Sequence, residues 1–385
     1  MKNLKRIFAL IMVVSLVISA LIPVIALAEE PEGEPAPAPA SEPAAAPEPA
    51  PAPAPAPDGD IVVWFIPKLT GNAFFETAND GAQEFAARNG FTVRYEGSPQ
   101  AAVADQVAII NNAVQAGADA ISVSSVDATG LDDALRAAMA AGVAVTTWDS
   151  DVSGDARTVM VSQGTPEILG VMLADMGADA LKNRGMNPDT DEINYVWHYS
   201  QATVADQNSW QVAGEAYIKS QFPNWVNVNP SNYYSNQDAE QALSVGESIL
   251  TAYPDIDLII CNDSTALPGQ AQAAQNLGMD KDDVSITGFA TPNAMKDFAR
   301  AGVIERWGLW DNGMQGSLGC YLAFYLASGN EIKVGDVINV PEIGSVEVLP
   351  NTVLDANAYT ADNSGVVLLP ERAVFTTANM DDYNF

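Results

Sequence analysis

From residue 61 onward, short apolar runs alternate with helical stretches that close on glycine, and this alternation constrains the fold more than any single motif. IVVWFIP leads into a helical stretch over 74–88 that ends at Asn89-Gly90. TVRYEG, a helix over 106–116 ended by Gly117, and AISVSSV come next; a helix over 131–141 then stops at Gly142 before AVTTWDS. Glycine just past the last turn supplies the left-handed cap a helix end needs. Repeated βα units with short joins require a parallel sheet covered by helices on both faces. IVVWFIP is apolar almost throughout, as suits a strand buried on both sides.

The first run ends with VMVSQG near Gln163-Gly164, and the pattern restarts: a helix over 167–183, INYVWHYS, a helix over 208–222, VNVNPSNYYS, a helix over 238–252, DLIICND, a helix over 270–277 and VSITGFA. A second set of similar size implies a second lobe rather than one wide sheet, consistent with the length prior of two domains. The helix over 294–301, ERWGLWD and the helix over 316–327 read as a return to the first lobe. The tail, with VINV, SVEVLP and VVLLP, reads as shorter strands closing the connection between lobes. The expected division is 61–162 plus 291–340 for lobe one and 163–290 plus 341–385 for lobe two.

Residues 1–28 have a basic start (Lys2, Lys5, Arg6), a long apolar run and an Ala26-Leu27-Ala28 exit, the layout of a cleavable secretory signal. The apolar run is just long enough to span a bilayer, so an uncleaved membrane tether is the competing reading. Residues 29–60 hold 11 of the 24 prolines, mostly in Pro-Ala alternation, and read as a disordered, extended spacer. The expected location is therefore extracytoplasmic, in the periplasm or on the outer face of the cytoplasmic membrane. The net charge of −32 falls to −35 once the three basic residues of 1–28 are removed. So acidic a chain argues against nucleic acid and anionic membrane as partners. Cys261 and Cys320 lie far apart and read as buried thiols, although an exported chain could pair them.

In an open α/β sheet, ligands bind beyond the carboxyl ends of the strands. Lys68 follows the first strand, Asp149 and Asp151 end AVTTWDSD, and Asp206 and Gln207 follow INYVWHYS. Asn262 and Ser264 end DLIIC, and Trp310-Asp311 end ERWGL. One cation, several carboxylates and amides, and aromatic residues (Phe74, Phe75, Trp148, Trp310) suit a small, polyhydroxylated, nearly neutral ligand. Phe74 and Phe75 are adjacent on a helix, so at most one is expected to face the ligand while the other packs in the core. Each polar residue also has a structural reading: Asp206 as a helix cap, Asp149 and Asp151 as turn starters, Lys68 as a solvated lysine.

Catalysis has less support. His198 is the only histidine, which leaves no histidine-based triad and no ordinary zinc site. There is no G-x-S-x-G elbow, phosphate-cradling glycine loop or C-x-x-C. Asp149 with Asp206 could form a glycosidase-like pair, but an exported two-lobe chain without a catalytic signature reads as a binding module needing neither metal nor cofactor.

Eight blocks carry a resemblance: IPKLTGNAFF, INNAVQAGADAISVSSVD, TWDSD, QGTPEILGVMLADM, TVADQNSW, GFATPNAM, GLWD and GVVLLPERAVF. Together they resemble the LsrB-type autoinducer-2-binding proteins, within the ribose-binding-like (type I) periplasmic binding proteins of ABC importers. The likeness runs over the whole stretch from 61 to 385. It implies two α/β lobes, each a parallel sheet flanked by helices, joined by a three-strand hinge and closing on one ligand. The implied function is capture of the quorum-sensing signal autoinducer-2 in its cyclic tetrahydroxy-tetrahydrofuran form for an ABC permease, by a monomer. The family's side-chain contacts fall on Lys68, Asp149, Asp206 and Gln207. Two further contacts fall in the segment of Asn262 and Ser264, where better-known members have proline and alanine. New side chains there would add donors and could favour rhamnose, ribose or another free sugar, the alternative ligands.

Overall fold

The computed structural model describes residues 61–385; the expected signal segment and spacer, residues 1–60, lie outside the described residues. No helix among those described is long and apolar enough to cross a membrane.

The chain begins with β1 (Val62–Ile66), α1 (Ala73–Asn89), β2 (Thr92–Tyr95), α2 (Val103–Gln115), β3 (Ala120–Val123), α3 (Asp132–Ala140), β4 (Ala144–Trp148) and β5 (Val159–Ser162). These strands pair in parallel, with β1 between β2 and β3: Val63 lies opposite Val93 on one side and Ala120 on the other. Alternation along β1 feeds two separate cores. Val63 and Phe65 pack with Phe74, Phe75 and Phe85 of α1, while Trp64 and Ile66 pack with Ile109, Ile110, Leu131 and Leu135. Each such side chain contributes about 1.5–3 kcal/mol through burial. The glycine stops behave as expected: Gly90 caps α1 at φ 75° and its N–H donates to the Ala86 carbonyl. At the other end Asn72 accepts from the Phe74 N–H, which fixes where α1 starts beside the cleft.

The second half runs α4 (Pro166–Asn183), β6 (Ile193–Tyr199), α5 (Ala205–Gln221), β7 (Trp225–Asn227), β8 (Tyr233–Tyr234), α6 (Ala239–Ala252), β9 (Leu258–Cys261), α7 (Ala266–Asn276) and β10 (Ser285–Gly288). Its sheet has the order β10-β9-β6-β7, with β8 continuing beside β6, all parallel. Cys261 and Cys320 are free, buried thiols.

The C-terminal third comprises α8 (Pro292–Arg300), β11 (Arg306–Trp310), α9 (Asn312–Ala327), β12 (Val337–Val340), β13 (Gly344–Glu347), β14 (Leu349–Pro350), β15 (Gly365–Leu368) and β16 (Arg372–Thr376). Here the structure corrects the expected division. Residues 291–340 do not return to the first lobe as a block. Helix α8 packs on α7, and β11 lies beside β10 through the Phe289–Gly308 bridge, because Trp307 and Leu309 are buried there with Phe375. Only α9 and the segment after it go back: α9 covers β1, β3, β4 and β5, and Val334 and Gly335 donate to the Asp362 and Val348 carbonyls beside β15. Nor do residues 341–385 stay with the second lobe. β15 pairs in parallel with β5 and β14 closes outside it, giving the first sheet the order β14-β15-β5-β4-β3-β1-β2. The apolar run of β15, with Val366 and Val367 buried, finds its place on the open edge of β5. The chain thus crosses between lobes three times: from β5 into α4, from β11 into α9, and from β15 into β16.

Candidate functional site

The site begins where β1 ends. Pro67 stops the strand and Lys68 turns inward, 2% exposed, with its Nζ 2.9 Å from Asp149 Oδ2. Asp149 leaves β4 in the left-handed region, at φ 60°, a conformation that costs a non-glycine residue energy and is retained where the surroundings impose it. The same Oδ2 accepts from Ser124 Oγ at 2.7 Å, so this carboxylate is held from β3 and β1 together. Burial works against the Lys68 charge, but Asp149, Asp206 and Asp263 outweigh it and hold the ammonium above its ordinary value.

The second lobe faces this pair with the starts of α5 and α7. Asp206, in the first turn of α5, accepts from Ser150 Oγ at 2.6 Å and from Gln163 Nε2 at 3.3 Å. Burial, opposed by Lys68 and reinforced by Asp149, pushes its carboxyl up to about 6. Asp263 precedes α7, and its Oδ1 accepts from the Thr265 and Ala266 N–H groups. Burial raises its carboxyl to about 6 as well, against the pull of those N–H groups and of Lys68. Further bonds cross the cleft: Asn72 donates to Thr265 Oγ1 at 3.2 Å, Ser264 Oγ donates to Asn72 Oδ1 at 3.2 Å, and Thr203 Oγ1 donates to the Val126 carbonyl at 3.1 Å. The lobes are closed on each other.

Between them lies a small cavity lined by side chains from both lobes. Its polar lining includes Lys68, Asp149, Gln207, Asn262, Asp263 and Ser264. Phe74, Phe75, Trp210, Phe289 and Trp310 form its aromatic wall, with Trp310 meeting Phe74, Trp210 and Phe289 edge-on at centroid distances of 5.8, 5.9 and 5.5 Å. Three buried acceptors on the lining, Gln207 Oε1, Asn262 Oδ1 and Asp263 Oδ2, have no partner among the described residues. An unpaired buried acceptor costs about 1–3 kcal/mol, and three of them around one cavity are matched by a ligand rich in hydroxyl donors.

Most residues expected from strand ends converge: Lys68, Asp149, Gln207, Asn262 and Ser264 line the cavity, as do Phe74 and Trp310. Four placements differ from expectation. Phe75 also lines the cavity instead of retiring into the core, because the first turn of α1 points at the cleft and both rings meet there at 5.1 Å. Asp151 is not a pocket residue of this cavity. It takes a bidentate pair from Arg157, Nε to Oδ1 at 3.0 Å and Nη2 to Oδ2 at 2.6 Å, and a hydrogen bond from Thr147. Asp311 is an exposed N-cap that accepts from the Met314 N–H at 2.8 Å. Asp206, expected as a ligand contact, does not line this cavity: it reaches the cleft as an inter-lobe strap, its carboxyl committed to Ser150 and Gln163.

Asp263, Trp210, Phe289 and Gln237 were not singled out from the sequence. Asp263 sits between two residues that were, in an N-D-S-T run that reads locally as a helix start, so its position at the end of DLIIC was the available signal. Trp210 is one turn beyond Asp206 on α5 and reads as core. Gln237 sits in a loop where it and Asn236 both adopt positive φ, 56° and 51°, which no sequence pattern announces.

The model of the family described as periplasmic binding protein domain matches residues 61–331. The ribose import binding protein RbsB of Salmonella typhimurium is 27% identical over 241 residues, covering 61% of this chain and 75% of that protein. Among solved structures, LsrB from Clostridium saccharobutylicum in complex with AI-2 is 65% identical, covers 84% of this chain and 100% of its own, and superposes with a TM-score of 0.84. A solute-binding protein from Clostridium phytofermentas with bound L-rhamnose shares the fold at 22% identity and a TM-score of 0.75, over 84% of this chain and 98% of its own. The chain belongs to the periplasmic binding protein family, to its LsrB type.

Proposed function

We propose that this protein is the exported solute-binding component of an ABC importer and captures autoinducer-2, in its cyclic hydrated form, between the two lobes. The observation that carries the reading is the cavity itself. A buried Lys68–Asp149 pair on one side faces three unpartnered acceptors on the other, within an aromatic wall. Lys68 donates to ligand oxygens, and Asp149, Gln207, Asn262 and Asp263 accept from ligand hydroxyls. Phe74 and Trp310 cover the ligand's C–H surface. Excluding water strengthens each of these bonds. The likeness to an LsrB with AI-2 bound, over the whole described chain, supports this ligand over others. A permease would select the closed form, in which both lobes present one continuous face. The protein acts as a monomer, with no turnover of its ligand.

Asn262 and Ser264 favour keeping one second reading. The free Asn262 Oδ1 and the Ser264 hydroxyl supply polarity that an aldopentose or deoxyhexose could also use. Titration of the purified protein with autoinducer-2, L-rhamnose and D-ribose separates the two: the proposal expects stoichiometric binding of autoinducer-2 in preference to either sugar. Recovery of chemically altered ligand after incubation would return the assignment to a carbohydrate-active enzyme.

A further inference from the structure

Gln163 lies in the first of the three crossings between lobes, and its side chain is fully engaged. Its Nε2 donates to the Asp149 carbonyl at 3.0 Å and to Asp206 Oδ2 at 3.3 Å. Its Oε1 accepts from Gln315 Nε2 at 3.0 Å, and its backbone carbonyl accepts from Arg372 Nε at 2.6 Å. Gln315, on α9, donates as well to the Val161 carbonyl at 3.0 Å and accepts from Trp310 Nε1 at 2.6 Å. Arg372, at the start of β16, also donates to the Leu369 carbonyl at 2.8 Å. Gln163 and Gln315 are 1% and 0% exposed.

One chain of hydrogen bonds therefore joins all three crossings. The 162–165 segment contributes Gln163, the 310–311 crossing contributes Trp310 through Gln315, and the 369–372 crossing contributes Arg372. The same chain ends on Asp149 of the first lobe and Asp206 of the second. Every donor and acceptor of the two amides is used in one orientation only, since reversing Gln315 would set its oxygen against the Val161 carbonyl. Opening the lobes must separate Gln163, which moves with Asp149, from the Asp206 carboxyl on α5.

We infer that Gln163 is the positioning residue that couples ligand capture to closure: it locks Asp206 to the first lobe and ties that lock to all three hinge strands through Gln315 and Arg372. It touches no ligand; it acts through Asp206. The consequence is kinetic. A sound lock lengthens the life of the closed, loaded state and leaves encounter with the open state unchanged. This rests on the proposed ligand reading, and the test keeps the two apart.

The experiment is stopped-flow binding of autoinducer-2, followed by tryptophan fluorescence, to the wild type, Gln163→Glu, Asp206→Asn and the double variant. Gln163→Glu is nearly isosteric and keeps the acceptor for Gln315, but it turns an oxygen toward Asp206 and the Asp149 carbonyl. The expected result is a dissociation rate at least tenfold faster than wild type, with the association rate within about threefold. In the Asp206→Asn background, where the new amide can donate to the introduced carboxylate, the same change should speed dissociation by less than threefold, because residues that act through each other are non-additive. Equal effects in both backgrounds, or an unchanged dissociation rate, would overturn the inference. Should Gln163→Glu fail to fold, Gln315→Leu carries the test, and an unchanged dissociation rate there also overturns it. A wild type that does not bind autoinducer-2 would strike the ligand reading, whereupon the same cycle is run with whichever sugar binds.

Discussion

The two walls of the cleft are built on opposite principles. On the first lobe, Lys68 and Asp149 satisfy each other at 2.9 Å, and Ser124 completes the carboxylate from below. On the second, Gln207 Oε1, Asn262 Oδ1 and Asp263 Oδ2 are buried without partners among the described residues, and Asp206 and Asp263 hold their protons up to about pH 6. One wall is finished in the absence of ligand and the other is completed by it. The difference teaches where the binding energy comes from. The first wall supplies a fixed, prepaid geometry, and the second supplies acceptors whose unmet hydrogen bonds a polyhydroxylated ligand relieves.

The sharpest way to break this contrast is to damage the finished wall. Lys68→Ala leaves the Asp149 carboxylate buried and alone, and stripping one partner from a buried pair costs about 3–5 kcal/mol. The expected outcome is a large fall in the denaturant midpoint together with loss of measurable binding; Asp149→Ala should behave alike. An unchanged midpoint would mean that the pair is not the buried brace its geometry implies.

Damage to the unfinished wall should separate stability from affinity. Gln207→Leu removes an unpaired acceptor, so the ligand-free protein should hold its stability or gain up to about 1 kcal/mol, while binding weakens by about 1–3 kcal/mol. Chemical denaturation with and without ligand measures both. Equal losses in the two conditions would erase the distinction between the walls.

Acidity provides a third contrast of moderate size. The Asp206 and Asp263 carboxyls sit near 6 in the folded state against an ordinary value of 3.8. The folded protein therefore binds protons more tightly than the unfolded chain. Stability from these two groups rises as pH falls through 6 and is complete below about 4, each contributing at most about 3 kcal/mol. Asp263→Asn should flatten its share of the slope of unfolding free energy between pH 7 and 4, and a slope equal to wild type would reject the burial argument. Ligand affinity should run the other way, weakening below pH 6 as acceptors are protonated. At the small end, Asp311→Ala removes an exposed cap worth about 1 kcal/mol and should leave affinity within twofold of wild type.

Much of the first wall was legible in the sequence because its parts are local. IVVWFIPK announces a buried strand with a cation at its carboxyl end, and TWDSD places a carboxylate at the end of a neighbouring strand. The second wall was legible only in part. Asp263 is hidden inside a run that looks like a helix start, and Trp210 and Phe289, packed edge-on against Trp310 within the second lobe, look like core. The tail was misread for a related reason. GVVLLP is plainly a strand, but nothing within it says that its partner is β5, some two hundred residues earlier, rather than a strand of the nearer lobe. Position at a strand end does not separate Asp149 from Asp151; Arg157, fully engaged with the 351–365 segment, decides which of them is withdrawn from the cleft.

The central claim is that the cavity between these walls binds autoinducer-2. Isothermal titration of the purified protein, with L-rhamnose and D-ribose as competitors, tests it directly. The account predicts saturable one-to-one binding that neither sugar displaces at tenfold excess, and its disappearance in Lys68→Ala. Absence of binding heat with autoinducer-2, or tighter binding of either sugar, would contradict it.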